Sequence, residues 1–225
     1  YKAAECRQYL VERLADLDQF DRRTSNLSAQ LHREAVATRM RPFSDGVQGF
    51  GRMVRDLARS LGKRARLEIH GLSTQVDRDV LSEIEAPLNH LLRNALDHGI
   101  ETPAERRKTD KPEQALIKLG AVHQAGMLAV TLEDDGRGID TERLRRAVVD
   151  KKLAPAEMVA RMTEAELVEF LFLPNFSTKE QVTEISGRGV GLDVVRDTVQ
   201  ALGGTVHVTS QLGKGTRFYL QLPLT

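Results

Sequence analysis

Residues 90–101 read HLLRNALDHGIE. Asn94 stands four residues after His90 and four before His98, a spacing that puts side chains on one face of an α-helix. Val80, Ile84, Leu88, Leu91, Leu92 and Ala95 keep the helical apolar period, so one long helix is expected from Asp77 to Asp97. Pro87 falls inside it and predicts a kink or an exposed carbonyl. An amide flanked by two imidazoles can hold a divalent cation and touch phosphate oxygens. The same three residues also suit an ordinary helix surface, and the rest of the chain has to decide.

Working outward, Asp134-Asp135-Gly136-Arg137-Gly138-Ile139-Asp140 follows an expected strand, Met127–Glu133. A carboxylate at a strand end can accept a hydrogen bond from an exocyclic amine, and glycines let a flat ring approach the backbone. An ordinary Asp-Gly turn is the alternative. Ser186–Leu192, SGRGVGL, puts a G-x-G-x-G run before a helix expected over Gly191–Leu202. Successive amides at a helix N-terminus make an anion site. The run fits neither the dinucleotide fingerprint nor the Walker pattern, and a flexible hinge is the other reading. Between these boxes, Phe172–Lys179 (FLPNFSTK) offers two aromatics around a turn with hydroxyls and an amine: a lid latched by Phe172 and Phe176, or two core phenylalanines. Gly213-Lys214-Gly215-Thr216 closes a hairpin, where only Thr216 is a candidate contact.

Residues 1–41 contain neither Gly nor Pro, and Leu10, Leu14, Leu17, Thr24, Leu27, Leu31, Ala35 and Thr38 form a narrow heptad stripe. One long helix, or two broken near Thr24-Ser25-Asn26, is expected. So narrow a stripe needs a partner helix, most simply from a second copy of the chain. Pro42 ends this segment, and Gly46, Gly49 and Gly51 are expected to loosen the stretch between it and a helix over Met53–Leu61. Strands are expected at Arg66–His70, Ala115–Val122, Thr205–Ser210 and Thr216–Leu222, with a charged loop at Gly99–Pro112 and helical pieces over Thr141–Phe172. The order predicts an α/β two-layer sandwich, a mixed sheet with helices on one face, behind a helical segment at 1–41.

With 33 basic and 32 acidic residues interspersed, a nucleic-acid surface is excluded as the main business. Cys6 is the single cysteine, so no internal disulfide forms, and a reducing, cytoplasmic location is expected. No apolar run reaches membrane-spanning length, so no membrane insertion is expected. The chain opens mid-pattern at Tyr1 and stops behind a strand at Thr225, which gives the expectation of a segment from a longer protein.

The ordered set HLLRNALDHGIE, DDGRGID, FLPNFSTK, GRGVGLDVV and GKGTRF resembles the ATP-binding domain of histidine kinases, in the Bergerat-type superfamily shared with Hsp90, gyrase B and MutL. His90, where ordinary sensor kinases carry glutamate, and the stretches RMRPF (39–43) and FLPNFSTKEQVTEISGRGVGLDVVRD make it similar to the CheA chemotaxis kinases. Asn175 stands where glycine is common in that family.

The resemblance implies that Asn94 ligates a Mg²⁺ bridging the ATP phosphates, that His98 contacts them, and that His90 and Arg93 lie near the γ-phosphoryl. Asp134 then binds the adenine amine, with Gly136 and Gly138 shaping its pocket and Thr216 supporting it. Ser177, Thr178 and Lys179 belong to the lid, and Gly187, Gly189, Gly191 and Leu192 cradle the triphosphate. It also implies a homodimer through the N-terminal helical segment and transfer to a histidine on a separate phosphotransfer domain. A response regulator and a coupling protein or chemoreceptor array are implied as partners of regions outside this segment. Two alternatives stand beside it: an ATP-binding dimer scaffold without productive transfer, and an ordinary sensor kinase core phosphorylated on its own His32.

Overall fold

The computed structural model describes residues 2–174, 176 and 191–224. The chain separates into two compact bodies, Tyr1–Met40 and Arg41–Thr225.

The first body is one helix, α1 (Lys2–Arg39), unbroken at Thr24-Ser25-Asn26 because no Gly or Pro interrupts its hydrogen bonds. Leu14, Leu17, Leu27 and Leu31 stand along it with between 58% and 63% of their surface exposed. Among the described residues no helix is long and apolar enough to cross a membrane.

In the second body, β1 (Met40–Pro42) pairs with β3 (Gln75–Asp77) in a two-stranded sheet. The main sheet has five strands in the order β2-β4-β5-β7-β6, where β2 is Ala65–His70, β4 Ala115–Gln124, β5 Met127–Asp134, β6 Thr205–Gln211 and β7 Gly215–Pro223. Strands β2 and β4 run parallel and the other pairs antiparallel, which makes the sheet mixed. Its alternation is one-sided: Ile117, Leu119, Leu128, Val130, Leu132, Phe218, Leu220 and Leu222 are buried, while Lys118, Arg217, His207 and Thr209 are exposed on the opposite face. The buried face is packed by helices, so the expected two-layer sandwich is the architecture found. The β4–β5 hairpin turns through Ala125 and Gly126, both at positive φ (50° and 76°), a geometry that continues the strands' own twist.

Two expectations need correction. Gly46, Gly49 and Gly51 do not loosen the chain; α2 (Ser44–Val47) and α3 (Phe50–Ser60) incorporate Gly46 and Gly51. A Cβ on Gly46 would lie 2.6 Å from Leu81 Cδ1 on α4 (Arg78–Asn94), so a larger residue there requires the Leu81 side chain to shift. The Gly99–Pro112 loop contains a helix, α5 (Pro103–Lys108), started by a reciprocal Thr102–Glu105 capping box with proline in the first turn. Asp77 caps α4 by accepting from the Asp79 amide at 2.9 Å, and Pro87 sits buried inside α4 without ending it. The remaining elements are α6 (Thr141–Asp150), α7 (Ala156–Arg161), α8 (Glu164–Val168), a 3₁₀ turn at Glu169–Phe172, and α9 (Leu192–Ala201).

Candidate functional site

Asp134 is the last residue of β5, opposite Ile117 on β4 and Thr216 on β7. Directly paired residues share a sheet face, so register puts its carboxylate on the helix-covered side. It is only 4% exposed. The Gly136 amide donates to its Oδ1 at 2.9 Å, and the Thr216 backbone bonds it as well. Burial nevertheless pushes its pKa up to about 6, with the Asp135 and Glu101 charges adding to the rise and the two backbone bonds opposing it. Thr216 is buried, and its hydroxyl meets Ser210 Oγ at 3.0 Å. Ser210 Oγ also accepts from the Ile139 amide at 2.8 Å, which ties the loop after β5 to the β6–β7 hairpin.

The Asn94 helix arrives above this carboxylate. Helix α4 ends at Asn94, and Ala95–Gly99 forms a π-helical turn. His98 lies in this wider turn, close enough for its charge to act on His90. His98 is about half exposed, its Nε2 3.2 Å from Asp97 Oδ2. Lys63 Nζ closes the turn by donating to the carbonyls of Leu96 (2.5 Å) and Asp97 (2.9 Å). At Gly99 a Cβ would lie 3.3 Å from Asp134 Oδ1, and the Gly99 carbonyl accepts from the Arg137 amide at 2.9 Å.

The two loop glycines each lie against a backbone carbonyl. A Cβ on Gly136 would sit 2.4 Å from the Gly99 carbonyl oxygen, and one on Gly138 (φ +70°) 2.2 Å from that of Gln211. Backbone packs closely on backbone at both positions, which leaves no space there for a side chain.

One turn before Asn94, His90 Nε2 is shielded from solvent with no hydrogen-bond partner among the described residues, and so is Asp193 Oδ1 in the first turn of α9. The two are electrostatically coupled. Burial lowers the His90 pKa most; Asp193 opposes the change, and Arg93 and His98 add to it. Arg93 itself is exposed and donates to Asn89 Oδ1 at 3.2 Å. Gly191 is the N-cap of α9 with no side-chain cap, and half-buried Leu192 packs against the core behind it.

Of the two readings for the aromatics, Phe172 is a core residue with no exposed surface, and Phe176 packs against the core with Lys151 Nζ 5.0 Å from its ring. Asn175, Ser177, Thr178, Lys179, Gly187 and Gly189 lie outside the described residues.

One group of residues went unread in the sequence. Arg106 on α5 is fully buried. It donates to Asp135 Oδ2 at 2.8 Å, Glu101 Oε2 at 3.1 Å and the Pro112 carbonyl at 2.5 Å. Lys111 Nζ donates to Glu101 Oε1 at 2.8 Å and to the carbonyls of Asp135 (3.0 Å) and Gly136 (2.6 Å). The Leu116 amide completes the group on Asp135 Oδ1 at 3.0 Å. The Thr102-Pro103-Ala104-Glu105 start signal was legible and marks α5; the burial of Arg106 was not.

Residues 83–225 match the family model described as histidine kinase-, DNA gyrase B-, and HSP90-like ATPase. The chain belongs to that family. Its ATPase region is CheA-like. It is 43% identical over 195 residues to the gliding motility regulatory protein of Myxococcus xanthus, covering 87% of this chain and 25% of that protein. It is 42% identical over 214 residues to the chemotaxis protein CheA of Halobacterium salinarum (95% and 31%). With CheA of Borreliella burgdorferi the identity is 38% over 222 residues (99% and 26%). The chain thus spans about a quarter to a third of the length of these relatives. The catalytic domain of the histidine kinase ThkA aligns with a TM-score of 0.49 at 18% identity, over 83% of this chain and 95% of that one.

Proposed function

We propose that the chain is the dimerisation and ATP-binding core of a chemosensory protein-histidine kinase. It transfers the γ-phosphoryl of ATP to a histidine on a separate phosphotransfer domain. The observation that carries this reading is the convergence at one end of the sheet: the buried Asp134 lies under the turn that ends the Asn94 helix, and the uncapped start of α9 packs on that same helix near His90.

Phosphoryl transfer asks mainly for positioning and for neutralisation of charge. Asp134 accepts from the exocyclic amine of adenine, Gly136 and Gly138 hold the loop that presents it, and Thr216 supports it from β7. The amides at Gly191 and Leu192 face the phosphates, as an uncapped helix start favours anions. Among the described residues no cluster of three or more His, Cys, Asp or Glu side chains could hold a metal. Mg²⁺ binds through one or two protein ligands and the substrate's own phosphates; Asn94 would supply the protein ligand. When bound, the ion neutralises charge on the transferring group. His90 and Arg93 lie near that group, and His98 reaches the phosphates from the turn's exposed side. His90, held neutral by burial, hydrogen-bonds at the reacting end. The exposed leucine stripe of α1 seats a second copy of the chain, giving a homodimer. The response regulator and the coupling protein or chemoreceptor array act through other regions of the longer protein.

Incubation with radiolabelled ATP and Mg²⁺ tests this. Label on an added phosphotransfer domain, lost in Asn94→Asp, is expected. Label on this chain alone would favour a sensor kinase using His32, and binding with no label anywhere would favour a scaffold.

A further inference from the structure

The buried Arg106–Lys111 group is larger than α5 needs to stay folded. The capping box already starts that helix, and Thr109 Oγ1 donates to the Arg106 carbonyl at its other end. The polar contacts of these two cations run mainly to Glu101 and to the residues immediately after Asp134. Arg106 and Lys111 bind both nearby carboxylates, Glu101 and Asp135, and the carbonyls of Asp135 and Gly136. Those same two carboxylates are the charges that act against ionisation of Asp134.

We propose that Arg106 and Lys111 are positioning residues for base recognition: by neutralising Glu101 and Asp135 they keep Asp134 an ionised, acceptor-only group, and so set the choice of adenine over a base presenting a carbonyl. This rests on Asp134 being the base-recognising residue.

An ionised carboxylate only accepts hydrogen bonds; a protonated one also donates. Adenine offers an amine at the position where guanine offers a carbonyl oxygen. The charge on Asp134 therefore decides which base its carboxyl suits. Around it stand three carboxylates, Asp134, Asp135 and Glu101, and two cations, Arg106 and Lys111, leaving one net negative charge for Asp134 to carry. Removing either cation leaves a second charge uncompensated beside a buried carboxyl, which favours its protonated form.

Other charged groups near this end are accounted for. Arg217 and Glu133 pair with each other at 2.7 Å one register position along, on the opposite sheet face. Arg137 lies 3.7 Å from Glu105 on α5. On the π-helical turn Asp97 and His98 are exposed side by side, and Lys63 is engaged with the turn's carbonyls.

The test uses the whole chain with ADP and GDP as calorimetric probes at about pH 6 and about pH 8.5, in the wild type, Lys111→Met, Arg106→Lys and an Asp134→Asn control. Lys111→Met keeps most of the stem packing, and thermal unfolding reports whether each variant is folded. In Lys111→Met, ADP affinity is expected to fall about tenfold at the acid pH and recover at the alkaline one, with the ADP-to-GDP ratio falling in parallel. Arg106→Lys, which keeps the charge but loses the planar fork, is expected to retain selectivity while lowering the unfolding temperature. Equal loss at both pH values, or an unchanged base ratio in folded Lys111→Met, overturns the proposal in favour of a purely structural role. Wild-type ADP binding that Asp134→Asn leaves intact overturns the reading of Asp134 itself, and with it this inference.

Discussion

The two ends of the site are built differently. At the Asp134 end the polar groups are bonded within the fold: two backbone bonds on Asp134, two cations and an amide on Asp135, and Ser210 on Thr216. At the His90 end, His90 Nε2 and Asp193 Oδ1 are shielded from water yet have no partner among the described residues. A buried polar atom without a partner costs about 1–3 kcal/mol, and functional sites are where folds carry that cost. On the function proposed above, the difference corresponds to two tasks. Recognising a base needs a rigid, finished surface, whereas moving a phosphoryl group needs groups whose bonds form with the substrate.

If that division holds, substitutions at the two ends divide their effects between transfer and binding. The largest effect is expected at the amide between them. Asn94→Asp should reduce labelling of an added phosphotransfer domain on the order of 100-fold or more, because a carboxylate would put a negative charge beside the phosphates where the proposed ligand is a neutral amide. His90→Ala comes next, with transfer at saturating ATP about tenfold or more lower and ADP affinity unchanged by calorimetry. Full turnover and full transfer in that variant would remove His90 from the mechanism.

Asp134→Asn should invert this pattern, weakening ADP binding while strengthening the fold. The folded pKa of about 6 lies above the unfolded value of 3.8, so between them the native state holds a proton that the unfolded chain has released. Stability therefore falls as pH rises through that window. By neutral pH the loss amounts to roughly 3 kcal/mol, an order-of-magnitude figure. Urea unfolding without nucleotide should find Asp134→Asn the more stable form at about pH 7, with the advantage gone below about pH 4. A wild type and variant with parallel pH profiles would contradict the buried charge. The smallest effect belongs to the cap of α5: Thr102→Ala should cost about 1 kcal/mol in the same unfolding measurement, with transfer at saturating ATP unaffected.

Much of this architecture was legible in local pattern. The order of helices and strands predicted a mixed sheet with one covered face, because a sheet and amphipathic helices bury their apolar faces against each other. The Gly- and Pro-free stretch at 1–41 predicted helix, in one piece or two, and one piece is found. Where the reading failed, the deciding contact was distant in the chain. The π-helical turn at Ala95–Gly99 had no signal in the local pattern, and its carbonyls are bonded by Lys63, more than thirty residues earlier. Gly136 was read as letting a flat ring approach the backbone; its close approach to the Gly99 carbonyl was not legible. Arg106 sits in a run of charged residues that reads as solvated; it is buried because Glu101, Asp135 and the Pro112 carbonyl converge on it.

The amino-acid order alone determined the family and the fold class, since these come from motifs and short-range periodicity. Tertiary structure alone decided the charge state those residues are given. The carboxyl of Asp134 ends β5 in either description. Only the register with Thr216, the approach of Gly99 and the neighbouring Glu101 and Asp135 remove its water, and loss of water moves its proton affinity.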